Sequence, residues 1–254
     1  MARAAPQMFG CVLHAGPMRT FHLTALLFCA ACGVEPDIGA ASQPVLTTSL
    51  MLPGVVVAEH AAAHLLASGC LAEHAAEMAA TPSASEYLSY LVACALPADR
   101  TLTVGSLEYF GELGLAPTWT SAALSRAGRE AISACVLARL NDRGVELEIS
   151  MRGPRLELSS DEKEVAPVEE GAFWGDLFTA ADQPLTWFAC RGRGSLDAGG
   201  LIDRTCGRQD PAHLDSTLCG LSFAGPCPLI CDMGRDFYRR CGGNTQALTV
   251  YVGP

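Results

Sequence analysis

The sequence predicts an α+β fold, with several helices packed beside a small antiparallel sheet and a loop-rich, disulfide-stapled C-terminal region. Three observations lead there. Long segments carry apolar residues at helical spacing, one stretch alternates apolar and polar residues with a period of two, and six of the 12 cysteines fall between Cys190 and Cys241. The chain has 254 residues and is 50% apolar, enough to bury one sizeable core. We place a single α+β domain at residues 54–254, with the Cys-rich tail at 190–254.

Each element has a local reason. Val55 to Ala80 is Ala-rich and free of Pro, which predicts a helix weakened at Ser68-Gly69. Thr81-Pro82 ends it, and Ser83 with Glu86 forms a capping box for a second helix, in which Tyr87, Leu88, Leu91, Val92 and Cys94 share a side. Pro97 stops that helix. Thr101–Val104 reads as a strand, followed by a loop carrying Gly105, Gly111, Gly114 and Pro117. A third helix is expected from Thr118–Thr120 to about Arg143, with Gly144 as its C-terminal cap. Val145, Leu147, Ile149 and Met151 then alternate with Glu146, Glu148, Ser150 and Arg152, which is a half-buried strand. Leu156 and Leu158 begin a hairpin partner for it. The acidic stretch Asp161 to Glu170 reads as a solvated face, Ala172–Thr179 as a short helix, and Thr249–Val252 as a last strand.

Composition narrows the function. Charged residues make up only 17% and the formal net charge is −10, so nucleic acid is excluded as a natural partner. Lys163 is the sole lysine and sits between acidic neighbours, which leaves no P-loop, kinase lysine, Ser-x-x-Lys site or lysine-bound cofactor. No G-x-S-x-G elbow occurs. No cofactor is expected. Glu169 and Glu170 beside Phe173 and Trp174 are the candidate carboxylates of a glycan-acting hydrolase, with His213 as the only tail histidine, although adjacent glutamates rarely point to one site. His60 and His64 share a helix face but lack the intervening Glu of a zinc protease, so they are read as surface histidines.

So many cysteines suit an oxidising compartment. Cys94 and Cys135 fall on the apolar sides of two expected helices, and helices packed about 8–10 Å apart bring such residues within bridging reach. The six tail cysteines allow about 15 pairings. Nearest neighbours give Cys190–Cys206, Cys219–Cys227 and Cys231–Cys241, leaving Cys70 as a buried free thiol. Zinc sites repeat ligand pairs two to four residues apart, and Cys227 and Cys231 are the only such tail pair, so no metal site is expected.

The first 34 residues contain no Asp or Glu and run from Met18-Arg19-Thr20 through an apolar stretch, Phe21 to Ala31, to Cys32-Gly33. That order is a signal peptide at residues 1–31, with Met18 as an alternative start. The apolar run is too short to cross a bilayer, which takes roughly 20 residues. Cys29-Ala30-Ala31-Cys32 resembles the lipobox of bacterial lipoproteins, with Cys29 where that family prefers Leu. The resemblance implies diacylation of Cys32, a tether at residues 32–53, and attachment to the cell envelope by a membrane-inserted lipid anchor. Gly33 implies sorting to the outer membrane in a cell that has one. Cleavage and secretion without lipid is the alternative. Tyr90–Ala95, Ile132–Ala138 and Glu170–Phe178 are similar to segments of exported bacterial proteins that carry no assigned activity. The resulting expectation is a non-catalytic envelope lipoprotein that binds an envelope protein or polysaccharide, or has a structural role; the alternative is a secreted hydrolase.

Overall fold

A computed structural model describes residues 46–144, 146–156, 158–194, 201, 204–206 and 219–254. The signal peptide, Cys32 and His213 lie outside the described residues.

The chain enters as a strand. Leu46–Ser49 (β1) is an edge strand with Thr47 buried, so the end of the expected tether belongs to the sheet. Its β-branched threonines suit a pleated surface. The first expected helix is divided at Ser68-Gly69 into α1 (Pro53–Ala67) and α2 (Leu71–Met78). Helix α3 (Pro82–Ala95) starts behind Thr81 and not Ser83: the Thr81 hydroxyl accepts from Ala84 N–H at 3.2 Å, and Pro82 occupies the first turn, where its missing N–H costs nothing. β2 (Thr101–Val104) pairs with β3 (Leu107–Phe110), a strand read from sequence as loop.

The third expected helix is shorter than its pattern. Pro117–Thr120 is a 3-10 turn that buries Trp119, and α4 (Arg126–Ala138) begins only at the Ser125 cap, whose hydroxyl accepts from Gly128 N–H at 3.1 Å. β4 (Leu147–Arg152) follows. Its partners among the described residues are β1 and the C-terminal strand, in place of the hairpin strand expected at Leu156 and Leu158. Part of the acidic stretch makes α5 (Ser160–Val165), capped by Ser159.

The remaining elements are β5 (Val168–Asp176), β6 (Thr186–Arg191), β7 (Ser222–Pro226), α6 (Cys227–Ile230), β8 (Cys231–Met233), β9 (Tyr238–Cys241) and β10 (Leu248–Val252). β5 replaces the helix expected at Ala172–Thr179. Its run of Gly, Ala and aromatic residues is buried on both sides, which hides the alternation that marks a half-buried strand.

Six strands form one sheet in the order β1-β4-β10-β5-β6-β7. It is larger than expected and mixed, because β6 and β7 run parallel while every other neighbour is antiparallel. Two two-stranded sheets, β2-β3 and β8-β9, lie outside it.

Alternation along the strands sends residues into two cores. Ile149, Met151, Phe173, Trp187, Ala189, Leu248 and Val250 join the main core with the helices α1 to α4. Ala172, Trp174 and Cys190 face the opposite side, where Tyr238, Cys227, Cys231, Cys241 and Ala247 cover the sheet as a second, smaller core. Helix α4 is tied to the end of β5 through Ser133, whose hydroxyl donates to Arg129 O at 2.6 Å and accepts from Leu177 N–H at 2.8 Å.

Four disulfides join described residues. Cys94–Cys135 links α3 to α4, and Cys231–Cys241 spans the β8-β9 ladder, both as the sequence suggests. The other two differ: Cys190 pairs with Cys227 and Cys206 with Cys219, not Cys190 with Cys206 and Cys219 with Cys227. The sheet dictates the exchange. Cys190 projects from β6 into the second core, beneath α6, whereas Cys206 and Cys219 belong to the main core on the opposite face. Cys70, expected as a free thiol, is also disulfide-bonded. Among the described residues no helix is long and apolar enough to cross a membrane.

Candidate functional site

The two candidate carboxylates separate at a bulge in β5. Val250 stands opposite Gly171 and Tyr251 opposite Glu169, so Glu170 has no partner across the ladder, and a bulge of this kind re-aims side chains. Glu170 turns to the helix side, where it accepts two hydrogen bonds of 2.6 Å from Arg204. Glu169 turns to the other side and accepts from Tyr238 Oη at 2.7 Å, Tyr251 Oη at 3.3 Å and Arg193 N–H at 3.0 Å. The pair therefore faces two separate environments. His213, the third candidate, lies outside the described residues.

The surroundings of Glu169 form a polar network. The Arg152 guanidinium lies 3.5 Å from the centre of the Tyr251 ring, donates to Ala166 O at 2.7 Å and to Ser150 Oγ at 3.0 Å, and Ser150 in turn donates to Glu162 at 2.5 Å. Burial, followed by the Glu169 charge, pushes the Tyr251 phenol up to about 12, with Arg152 opposing. Burial and the hydrogen bond to Glu169 raise Tyr238 as well. Burial also pulls the Arg152 guanidinium below its ordinary value, against the charge of Tyr251 and Glu162. Each of these phenols is held neutral as a donor to a carboxylate, an arrangement that fixes β9 and β10 against β5.

Beside Glu170 and Arg204 is a cavity of about 430 Å³, lined mainly by Leu147, Val168, Leu201 and Val252 together with Arg143 and Glu148. Both polar side chains at its floor are committed to each other.

A second groove, of about 540 Å³, lies between the start of α4 and the far ends of β5 and β6. Here Arg126 and Glu130 pair at 2.8 Å along one helix face, and Arg129 stands 3.6 Å from Asp176. Trp174 and Phe188 stack across β5 and β6 with ring centres 5.7 Å apart and planes 15° from parallel. The Trp174 indole N–H finds no hydrogen-bond partner among the described residues, and Gly242 packs directly against it, its place for a Cβ only 3.0 Å from the indole nitrogen. Charged pairs of both signs beside an aromatic stack suit a polar ligand with hydroxyl or amide groups.

Sequence reasoning missed this groove. Arg126, Arg129 and Glu130 share a helix face by their spacing, which was a usable signal. Trp174 and Asp176 are same-side neighbours only on a strand, and their segment read as a helix. The histidines were misplaced too: His60 and His64 are half-buried, their Nδ1 atoms bonded to Val57 O at 2.8 Å and Phe178 O at 2.7 Å, and His60 meets the Trp187 ring edge-on. His64 pins α1 to the loop after β5, and His60 packs it against β6. Comparison with protein-family models, with curated proteins and with solved structures finds no match to this chain.

Proposed function

We propose that this chain is an exported cell-envelope lipoprotein with a non-catalytic binding or structural role, carried by lipid at Cys32, on the outer membrane where the cell has one. What supports the reading is the pairing of eight described cysteines into four disulfides, a state that oxidising compartments sustain and reducing ones do not. The engagement of Glu169 by two tyrosines and of Glu170 by Arg204 supports a structural use of these carboxylates over a hydrolytic one. The groove at Trp174 is where a polysaccharide or an envelope protein is received.

Intact mass of the protein from its native membrane, before and after reduction and alkylation, tests the reading. The expected result is a chain beginning at Cys32, heavier by its acyl groups, in which the eight cysteines of the four bridges take up alkyl groups only after reduction. A full-length cytosolic chain with free thiols overturns it. Titration of soluble envelope polysaccharide against Trp fluorescence tests the groove, and a response that survives Trp174→Leu removes the groove from the proposal.

A further inference from the structure

The four sulfurs of Cys190, Cys227, Cys231 and Cys241 form one buried knot on the outer face of the sheet. Cys190 bonds Cys227, Cys231 bonds Cys241, and the two bridges touch, with Cys190 Sγ 3.6 Å from Cys231 Sγ. The sulfurs of Cys190, Cys231 and Cys241 all lie within 4.8 Å of one another. A tetrahedral zinc thiolate with Zn–S near 2.3 Å places its sulfurs roughly 3.8 Å apart. Three of the four sulfurs therefore already lie within the span of such a centre, and the fourth, Cys227 Sγ, is bonded to one of them.

The scaffold that holds it is equally specific. Cys190 comes from β6, Cys227 opens α6, Cys231 opens β8 four residues later, and Cys241 lies opposite Cys231 in the ladder. The 227/231 spacing is one that zinc ligands use. None of the four is more than 9% exposed, and their walls are Ala172, Trp174, Tyr238 and Ala247, so the metal ligands that the described residues gather here are soft thiolates. Cys94–Cys135 and Cys206–Cys219 differ from these bridges in belonging to the main core.

We propose that this knot is a redox-gated zinc site, two disulfides when oxidised and a four-thiolate zinc centre when reduced. Two molecules of a dithiol reductant each deliver two electrons and two protons to one bridge and leave as cyclic disulfides, giving four thiols. One Zn²⁺ then displaces the four thiol protons and is held by four sulfurs. In either state the β8-β9 hairpin stays fastened to β6. The inference concerns the chemistry of the cluster and is independent of where the chain resides.

The test uses the full chain, reduced with a phosphine under argon and titrated with Co²⁺ and then Zn²⁺. The expected result is one Co²⁺ per chain with the near-ultraviolet charge-transfer and strong visible bands of tetrahedral thiolate ligation, bleached by one equivalent of Zn²⁺. Zinc also shields these four cysteines from alkylation, as peptide masses report. The double variant Cys94→Ser/Cys135→Ser keeps the site, Cys231→Ser loses stoichiometric uptake, and Cys231→His keeps one Co²⁺ with its visible bands shifted to the blue. A reduced chain that unfolds but regains its circular dichroism on adding zinc supports the proposal as well. No uptake by the reduced chain, folded or unfolded, overturns it, as does uptake that is unchanged in Cys231→Ser or has the pale spectrum of octahedral cobalt.

Discussion

Arg204 grips Glu170 side-on, with Nε and one terminal nitrogen each 2.6 Å from a carboxylate oxygen, while its other terminal nitrogen donates to Ala138 O at 3.1 Å and Leu140 O at 2.6 Å. One buried guanidinium thus joins the bulge of β5 to the C-terminal end of α4, where the carbonyls have lost their helical partners. Removing one member of such a pair strands the other charge. Glu170→Ala is expected to cost about 3–5 kcal/mol, read from urea unfolding. Glu170→Leu combined with Arg204→Met recovers part of that loss, since it removes both charges and leaves only the helix carbonyls unbonded. If Glu170→Ala unfolds at the wild-type midpoint, the ion pair has no structural role.

The disulfides differ in what they constrain. Cys94 and Cys135 are 41 residues apart and Cys206 and Cys219 only 13, so in the chain-entropy model their removal costs about 4 and about 3 kcal/mol respectively. Replacing each pair by Ala and comparing denaturation midpoints measures the order. Peptide mapping without reduction should recover a Cys190–Cys227 link and a Cys206–Cys219 link. Recovery of Cys190–Cys206 would break the assignment of these residues to opposite faces of the sheet.

Those two pairings show why part of the fold was legible and part was not. Cys94, Cys135, the β4 alternation and the weak point at Ser68-Gly69 all follow from local periodicity or composition, and local rules placed them. Cys190 belongs with Cys227 because β6 is buried against opposite layers on its two sides, a fact of topology that no local spacing encodes. β5 failed for the same reason: covered on both faces, it shows neither period. Glu169 and Glu170 were visible as a pair, but the bulge that parts them, and the Arg204, Tyr238 and Tyr251 that occupy them, come from distant positions in the sequence.

Tyr251 gives a pH signature. Its phenol is pushed up to about 12 by burial and by Glu169, whereas an unfolded tyrosine ionises near 10. The folded state therefore holds this proton more tightly, so the contribution to stability is complete below about pH 10 and is lost as pH rises through about 12. Absorbance titration of the phenolates should show a late step that is missing from Tyr251→Phe. In Glu169→Gln, which removes the neighbouring negative charge, the step moves to lower pH. An unchanged titration in both variants would disprove the coupling.

The β5-β6 contact depends on a residue without a side chain. Gly175 adopts φ +150°, and a Cβ there would lie 2.3 Å from Thr186 O and 3.0 Å from Trp187 Cα, both backbone atoms that cannot rotate aside. The close approach lets the Trp187 indole donate to Asp176 O at 3.2 Å and keeps Trp174 stacked on Phe188 at the rim of the groove. Gly175→Ala must push the two strands apart or bend β5, at a cost of at least about 2 kcal/mol. Gly243→Ala is the control: it also has positive φ, +86°, but no atom lies within 4 Å of its Cβ position, so it carries only the conformational penalty. Thermal denaturation followed by Trp fluorescence separates the two effects, and equal losses of stability in both variants would show that backbone conformation, not strand proximity, sets the requirement for glycine at position 175.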